Sequence, residues 1–299
     1  MYVFIYISLI LCLIIYTDLR TFKKLHNIDF IILPRSKVIK RGDDLAQIIW
    51  KISLCDGLGG GAEQFPKYKA FDELLTFLLN SLQKEGGAFK KVLRPIKTSL
   101  CSDIKWEKKL LQEYKDGLLQ FILTAIVTWI FSGFATWILD MEFSIFGNFF
   151  IVLIQVIGII LFHYIIKFYE NKYFSTLFSL NIKLIKFEAL LRTRLSNQEI
   201  LEESQINQIE FQEGIKQINK DLLPIVNSIA HMVSRWRRHG ESIELEVIDI
   251  RSDLFFKFEQ GFGLFIEAVK FLKFLTLCLF FLAPYFLMVG HLLSSFLIE

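Results

Sequence analysis

Cysteine is scarce in this sequence, and the few cysteines do not cluster with histidine. The 299-residue chain has 4 cysteines, Cys12, Cys55, Cys101 and Cys278, and none belongs to a CxxC pair. A disulfide framework or a zinc site would need ligands at characteristic spacings. The sequence therefore predicts reduced or buried thiols and no bound metal.

Recognisable catalytic motifs are also missing. The chain has no Walker A motif, no HExxH pair and no Ser/His/Asp or paired-carboxylate pattern, which are signatures of common catalytic sites. His231 and His239 lie near Glu241 and Glu244, but the spacing of the two histidines favours a solvated helix end over a metal site. We predict that the protein is not an enzyme and that it has no cofactor.

One glycine-rich stretch, CDGLGGGAE at residues 55–63, raises the alternative of a phosphate-binding loop. Such a loop follows a strand, opens a helix directly and has an acidic residue about 20 positions further on. Here Pro66 interrupts the following segment, and the preceding run QIIWKISL is best interpreted as the end of a helix. We interpret the stretch as a hinge made by Gly57, Gly59, Gly60 and Gly61.

Lysine and arginine are absent from four long apolar segments. The chain is 53% apolar and contains 31 phenylalanines, well above a typical soluble domain. A helix needs about 17–25 residues to cross a hydrocarbon core. We therefore predict an all-α membrane protein with four transmembrane helices, at residues 1–17, 118–139, 145–166 and 274–298.

The distribution of basic residues predicts the topology. Of the 34 lysines and arginines, 19 lie in residues 18–117 and 15 lie in residues 167–273, with none in the link 140–144. Basic residues are retained on the cytoplasmic side of a membrane. We expect two large cytoplasmic regions, an external turn at residues 140–144, and both termini outside.

Both charged regions show the periodicity of helical bundles. In residues 18–117, one apolar helical run ends at Gly86 and Gly87, and Pro95 is expected to break or kink the next run. A third run starts near Ser102 or Asp103 and continues into the membrane. In residues 167–273, an amphipathic run covers residues 174–195. The pattern SNQE at residues 196–199 is a capping box, and Gly240 ends a later helix. The shared plan of the two regions leaves open either an internal duplication or a coincidence of helical loops.

Two sets of polar residues are candidates for a functional role. Hydroxyl side chains recur every four residues in the second apolar segment, at Thr124, Thr128, Ser132 and Thr136. We expect them to pack against other helices, with an ion pathway as the alternative.

The second set is the basic cluster formed by Arg235, Trp236, Arg237 and Arg238. It is a candidate contact for an acidic protein partner or for anionic lipid head groups. A solvated helix end is the alternative. Nucleic acid is not an expected partner, because both charged regions also carry many acidic residues.

Two stretches resemble a known family. EAVKFLKFLTLCLFFLAPYFLMVG (residues 267–290) and FSLNIKLIKFEALLRTRLSNQEIL (residues 178–201) are similar to parts of the F domain of type II secretion platform proteins, and the order of segments is closest to the Tad (Flp) pilus branch. The glycine usual in the turn of that domain is absent, since Arg194-Leu-Ser196 stands in its place.

The resemblance implies a bacterial inner-membrane platform that couples a hexameric cytoplasmic ATPase to the assembly of pilin-like subunits. A second platform protein or a further copy of the chain would be an additional partner. The alternatives are an ion-driven motor or energy-transducing subunit, related to flagellar stators and to the TolQ and ExbB proteins, or a membrane scaffold.

Overall fold

The computed structural model describes residues 33–54, 65–85, 89–139, 145–193, 195–209, 222–286 and 289–290. Within these ranges the regular structure is entirely helical, which confirms the all-α prediction. The four hinge glycines, the first apolar segment and the link at residues 140–144 lie outside the described residues. The fourth apolar segment is described only in part.

Seven helices make up the described chain. They are α1 (Leu33–Leu54), α2 (Phe71–Glu85), α3 (Phe89–Leu139), α4 (Ile145–Leu190), α5 (Asn197–Ser204), α6 (Leu223–His239) and α7 (Glu244–Thr276). A 3-10 turn at Ile206–Ile209 follows α5, and a π-helical turn at Leu277–Leu282 prolongs α7.

Several helices begin or end at the residues that the local sequence predicts. Ser196 caps α5 by accepting from the backbone N–H of Glu199, while the Glu199 side chain accepts from the backbone N–H of Ser196, as a capping box requires. Helix α6 ends at Gly240, whose φ of 64° lies in the left-handed region that glycine adopts at low cost. The run at residues 47–54 belongs to α1, which confirms that it is a helix end.

The predicted helix break at Pro95 and the predicted separate helix start near Ser102 or Asp103 are both wrong. Pro95 lies inside α3, which runs without interruption from Phe89 to Leu139. A proline removes one intrahelical hydrogen bond, but Leu93 and Ile96 on either side of it are buried in the core. Because Pro95 occupies only the second turn of a long and well-packed helix, packing outweighs the lost hydrogen bond.

Helices α3 and α4 are the membrane-spanning candidates. They have 51 and 46 residues, which corresponds to about 77 and 69 Å at ~1.5 Å per residue. Both contain segments that are long and apolar enough to cross a membrane. Large apolar side chains such as Val127, Ile130 and Phe134 are 57–67% exposed along α3, as expected of a surface that faces lipid and not of a soluble core helix.

Three apolar clusters organise the packing, and α4 contributes to all of them. The N-terminal cluster joins α1, α2 and the first part of α3. The C-terminal cluster joins α5, α6 and the first part of α7. The span cluster joins α7 and the π-helical turn to α3 and α4, at and beside the apolar segments of α3 and α4. Leu184 lies in the C-terminal cluster and Ile185 in the N-terminal cluster. The two predicted bundles therefore pack on different sides of one shared helix.

Close packing of α4 against the π-helical turn gives a first testable prediction. A Cβ atom added at Gly158 would lie 2.5 Å from the Cβ of Phe280 and 2.7 Å from its Cγ. We expect Gly158→Ala to lower the stability of the chain by about 1–3 kcal/mol, because the added methyl group overpacks this contact. The measurement is the thermal unfolding midpoint of the purified chain in detergent.

Gly133→Ala on α3 is the matched control, because a Cβ at Gly133 meets nothing within 4 Å. Alanine is also the better helix former, so the control should unfold at the same temperature as the native chain or at a slightly higher one. Equal losses for the two variants would show that the close contact at Gly158 is not the cause.

Candidate functional site

A cluster of ion pairs around the buried carboxylates of Asp103 and Glu107 lies beside the apolar segments of α3 and α4. The Nε of Arg35, at the start of α1, donates to Oε2 of Glu107 on α3 at 2.9 Å. The Nη2 of the same guanidinium donates to both carboxylate oxygens of Glu170 on α4, at 2.6 and 2.7 Å. One side chain of α1 therefore joins the two candidate membrane-spanning helices, α3 and α4.

The segment before α2 is tied to the same cluster. Lys69 Nζ lies 2.7 Å from Oδ2 of Asp103 and 2.9 Å from Oε1 of Glu107. The hydroxyl of Tyr68 donates to Oδ2 of Asp103 at 2.6 Å. Asp103 and Glu107 are one helical turn apart on α3, so both carboxylates point to the same side of that helix.

Electrostatics within the cluster differ between its two buried carboxylates. Burial raises the pKa of Asp103, and this effect outweighs the opposing attraction of Lys69. Burial also opposes ionisation of Glu107, but Lys69 and Arg35 outweigh it and hold the pKa of Glu107 below its ordinary value. Glu107 therefore contributes stability at neutral pH that is lost when the pH falls through its folded-state pKa.

The cluster lies close to the start of the predicted span on α3. Glu107 precedes the start of the predicted span at Leu118 by 11 residues, about 16 Å of helix at ~1.5 Å per residue. The cluster therefore holds α1, α3 and α4 together just outside the apolar segments. All of its carboxylates are engaged by cationic side chains.

An aromatic stack beside the ion-pair cluster joins α3 to α7. The Trp106 ring lies parallel to the Phe258 ring, with centroids 4.2 Å apart and an interplanar angle of 6°. Phe255 and Phe262 lie with their centroids 5.7 Å from Trp106. Trp106 thus holds α3 to α7, and the adjacent residue Glu107 holds α3 to α1.

Two further ion-pair groups support the same helices. Glu113 on α3 lies 3.7 Å from Lys270 Nζ and 3.6 Å from Lys273 Nζ on α7. Glu188 on α4 pairs with Arg192 at 3.1 Å and with Arg251 of α7 at 3.0 Å. Both groups tie α7 to its neighbours.

The basic cluster predicted from sequence is divided by the fold. Trp236 is buried in the C-terminal cluster, with its ring edge-on to Phe187 at 5.5 Å. Arg235 donates to Glu246 at 2.6 Å and to Glu241 at 3.4 Å. Arg237 and Arg238 are exposed, so these two residues present the accessible positive charge.

The other polar candidates differ in burial, and the side chain of Thr136 lies outside the described residues. Thr128 and Ser132 are buried in the span, and the Thr128 hydroxyl donates to the backbone carbonyl of Thr124. His231 and His239 are exposed. Among the described residues, no group of three or more His, Cys, Asp or Glu side chains could hold a metal ion.

Sequence reasoning missed the ion-pair cluster. One signal was present, since Asp103 and Glu107 place two acids a turn apart on a helix side that otherwise carries Leu100 and Leu111. Their cationic partners come from distant parts of the chain, so the sequence could not identify them.

Comparisons with known proteins add no assignment. No protein-family model, curated protein sequence or solved structure matches this chain.

Proposed function

We propose that this protein is an inner-membrane platform of a pilus or type II secretion-like assembly machine. In this role it couples a cytoplasmic ATPase to the assembly of pilin-like subunits. It would cross the membrane four times, with both termini outside and the two charged regions in the cytoplasm. The resemblance in residues 178–201 and 267–290, together with the placement of basic residues, motivates this proposal.

The observation that supports the proposal best is the continuity of α3 and α4. Each helix runs unbroken from the polar helical body into an apolar segment able to span a membrane. The ion-pair cluster and the Trp106 stack fix both helices to their neighbours below that segment. A force applied to the helical body by a motor would therefore move the membrane segments as a rigid unit.

The surface for the ATPase is assigned to the exposed arginines at the end of α6. Arg237 and Arg238 are accessible, whereas Arg235 and Trp236 serve the fold. Basic side chains at a helix C-terminus complement the helix dipole, so they are stable there without a further partner and remain free to meet acidic groups.

Charge reversal tests this assignment. We expect Arg237→Glu combined with Arg238→Glu to weaken co-purification with a hexameric secretion ATPase by about tenfold or more, because like charges then face each other. The measurement is capture of the purified ATPase by the full-length chain in detergent, over a salt series.

Arg94→Glu combined with Lys105→Glu is the matched control, since both residues are exposed on α3. Undiminished capture by the Arg237 and Arg238 double variant would remove these residues from the interface. Absence of binding by the native chain, with any ATPase of this class, would overturn the proposed function itself.

A further inference from the structure

An open groove lies between α4 and α7, beside the apolar segment of α4. Its walls include Tyr169, Tyr173 and Phe174 of α4 and Gly261 and Leu264 of α7. The volume is about 370 Å³, near the lower end of the range of about 300–1,000 Å³ found for ligand pockets. A methylene group needs about as much space as a water molecule in the liquid, roughly 30 Å³. The groove therefore has room for one acyl chain and not for the two chains of a phospholipid.

The polar groups of the groove lie at the end that is far from the predicted spans. Lys257 and Gln260 line that end and are exposed, whereas Tyr169 and Ala268 line the other end. The two ends are roughly 16 Å apart along α7, at ~1.5 Å per residue. Lys257 makes no ion pair with another described residue. A few polar groups in an apolar pocket fix the orientation of its ligand, so Lys257 favours a ligand with an anionic head and an apolar tail.

An apolar surface connects this groove with the fourth predicted span. Residues of α7 on the groove side follow one another at spacings of four, three, four and three, which keeps them on one side of a helix. They are Lys257, Gly261, Leu264, Ala268 and Phe271. Leu264 and Phe271 are 69% and 67% exposed, and Phe274 at the start of the predicted span is 62% exposed. An apolar chain can therefore pass between the bilayer and the groove along this row of side chains.

The height of Lys257 distinguishes between two classes of lipid. Tyr169 and Tyr173 stack with their ring centroids 6.0 Å apart, and Tyr169 lies three residues beyond the predicted span end at Ile166, where tyrosines of a membrane interface are found. Lys257 precedes Phe274 by 17 residues, about 25 Å of helix. The head-group region is only about 5–8 Å deep on each side of a bilayer. A phospholipid cannot place its head group at Lys257 without leaving the bilayer, whereas a single acyl chain leaves it readily.

We propose that the groove between α4 and α7 binds one long-chain fatty acid from the membrane. Its carboxylate pairs with Lys257 and accepts from the Gln260 amide, because these two groups are the donors at that end. Its acyl chain lies along Leu264 and Phe174 toward the bilayer and covers apolar surface that is otherwise open to water. Binding in this groove does not depend on the proposed ATPase coupling, and no ATPase takes part in the test.

Photochemical labelling tests the groove. The full-length chain is placed in phosphatidylcholine nanodiscs with palmitate that carries a diazirine on its acyl chain, and labelled peptides are identified by mass spectrometry after illumination. We expect labelling of Tyr169, Tyr173 and Leu264 to saturate with probe concentration and to be displaced by unlabelled palmitate. Labelling of Val127 and Ile130 on α3 should rise in proportion to the probe, because these residues are exposed in the apolar segment. Methyl palmitate, which has no charge, should compete less well by about tenfold or more.

Two variants separate the groove from its cation. A Cβ at Gly261 meets nothing within 4 Å, so Gly261→Leu fills the groove without an internal clash and should leave the unfolding temperature at or above that of the native chain. Lys257→Glu replaces the cation at an exposed position. We expect both variants to lose the saturable labelling. Gly133→Leu, where a Cβ is equally unobstructed, and Lys40→Glu, which changes an exposed lysine of α1, should keep it.

Four results would overturn the inference. The first is an absence of saturable labelling in the groove, as expected if an apolar peptide is its occupant. The second is labelling that persists in either groove variant, and the third is equal competition by palmitate and methyl palmitate. The fourth is saturable labelling by a diazirine-bearing phosphatidylglycerol and not by the palmitate probe, which would identify a phospholipid site. Saturable labelling that both groove variants abolish and both controls retain supports the fatty acid.

Discussion

Glu107→Gln should destabilise the chain by about 2–3 kcal/mol, because the change removes the buried carboxylate that Arg35 and Lys69 share. Glu107 accepts from Arg35 at 2.9 Å and pairs with Lys69 at 2.9 Å, and only 8% of its side chain is exposed. A glutamine amide can accept from one of these cations, but it carries no charge to balance either. The thermal unfolding midpoint in detergent should fall by roughly 4–6 °C.

Asp43→Asn is the matched control for this prediction. Asp43 of α1 pairs with Lys108 of α3 at 2.9 Å, so it joins the same two helices one residue away from Glu107. Both partners of this pair are about half exposed, and exposed ion pairs contribute about 0–1 kcal/mol. If Asp43→Asn costs as much as Glu107→Gln, burial of the cluster is not the source of its stability.

The effect of Glu107→Gln on the unfolding temperature should also depend on pH. The pKa of Glu107 lies below its ordinary value because Lys69 and Arg35 outweigh burial. The contribution of the Glu107 carboxylate to stability is therefore complete at neutral pH and disappears as the pH falls through the folded-state pKa. The difference in unfolding temperature between the native chain and Glu107→Gln should therefore shrink in acid. A difference that stays constant down to acid pH would contradict the assigned role of the carboxylate.

Trp106→Ala should destabilise the chain by about 3 kcal/mol or more, through loss of the aromatic stack. Trp106 contacts Phe255, Phe258 and Phe262, all on α7. Truncation leaves these rings facing a cavity, and the partly exposed position of Trp106 keeps the effect toward the low end of the range for large aromatic residues. The measurement is again the unfolding midpoint, with near-ultraviolet circular dichroism to follow aromatic packing.

Two further variants test whether the loss of stability comes from the aromatic stack. Trp106→Phe retains a stacking ring and should recover much of the lost stability. Trp50→Ala removes the same side chain from a position on α1 where it is 52% exposed, and surface changes of this kind cost within about 0.5 kcal/mol. Equal effects of Trp50→Ala and Trp106→Ala would mean that α3 is not held to α7 by this stack.

Trp106 and Glu107 are adjacent residues in one short section of α3. Glu107 binds toward α1 and α4, and Trp106 binds toward α7. If the helical body transmits displacement to the membrane, either variant should reduce pilus or secretion output even under conditions in which the chain remains folded and inserted. The Asp43→Asn and Trp50→Ala controls should retain that output.

Most helices of this fold could be predicted from the sequence. Apolar spacing identified α2, α6 and α7, the capping box located the start of α5, and Gly240 located the end of α6. These features depend on residues within about one turn of each other, so the local sequence is enough to predict them. The error at Pro95 arose because a local rule was applied where buried neighbours on both sides decide the outcome.

What the sequence determined by itself is the helical class, the apolar segments of α3 and α4, and the separation of basic from apolar regions. The tertiary structure alone decided that Arg35 meets Glu107, 72 residues away, and Glu170, 135 residues away. It also decided that Trp236 belongs to the core while Arg237 and Arg238 remain exposed. The physical reason is that hydrogen-bond periodicity and hydrophobicity act along the chain, whereas the partner of a buried charge or ring is whichever group the packed helices bring within contact distance.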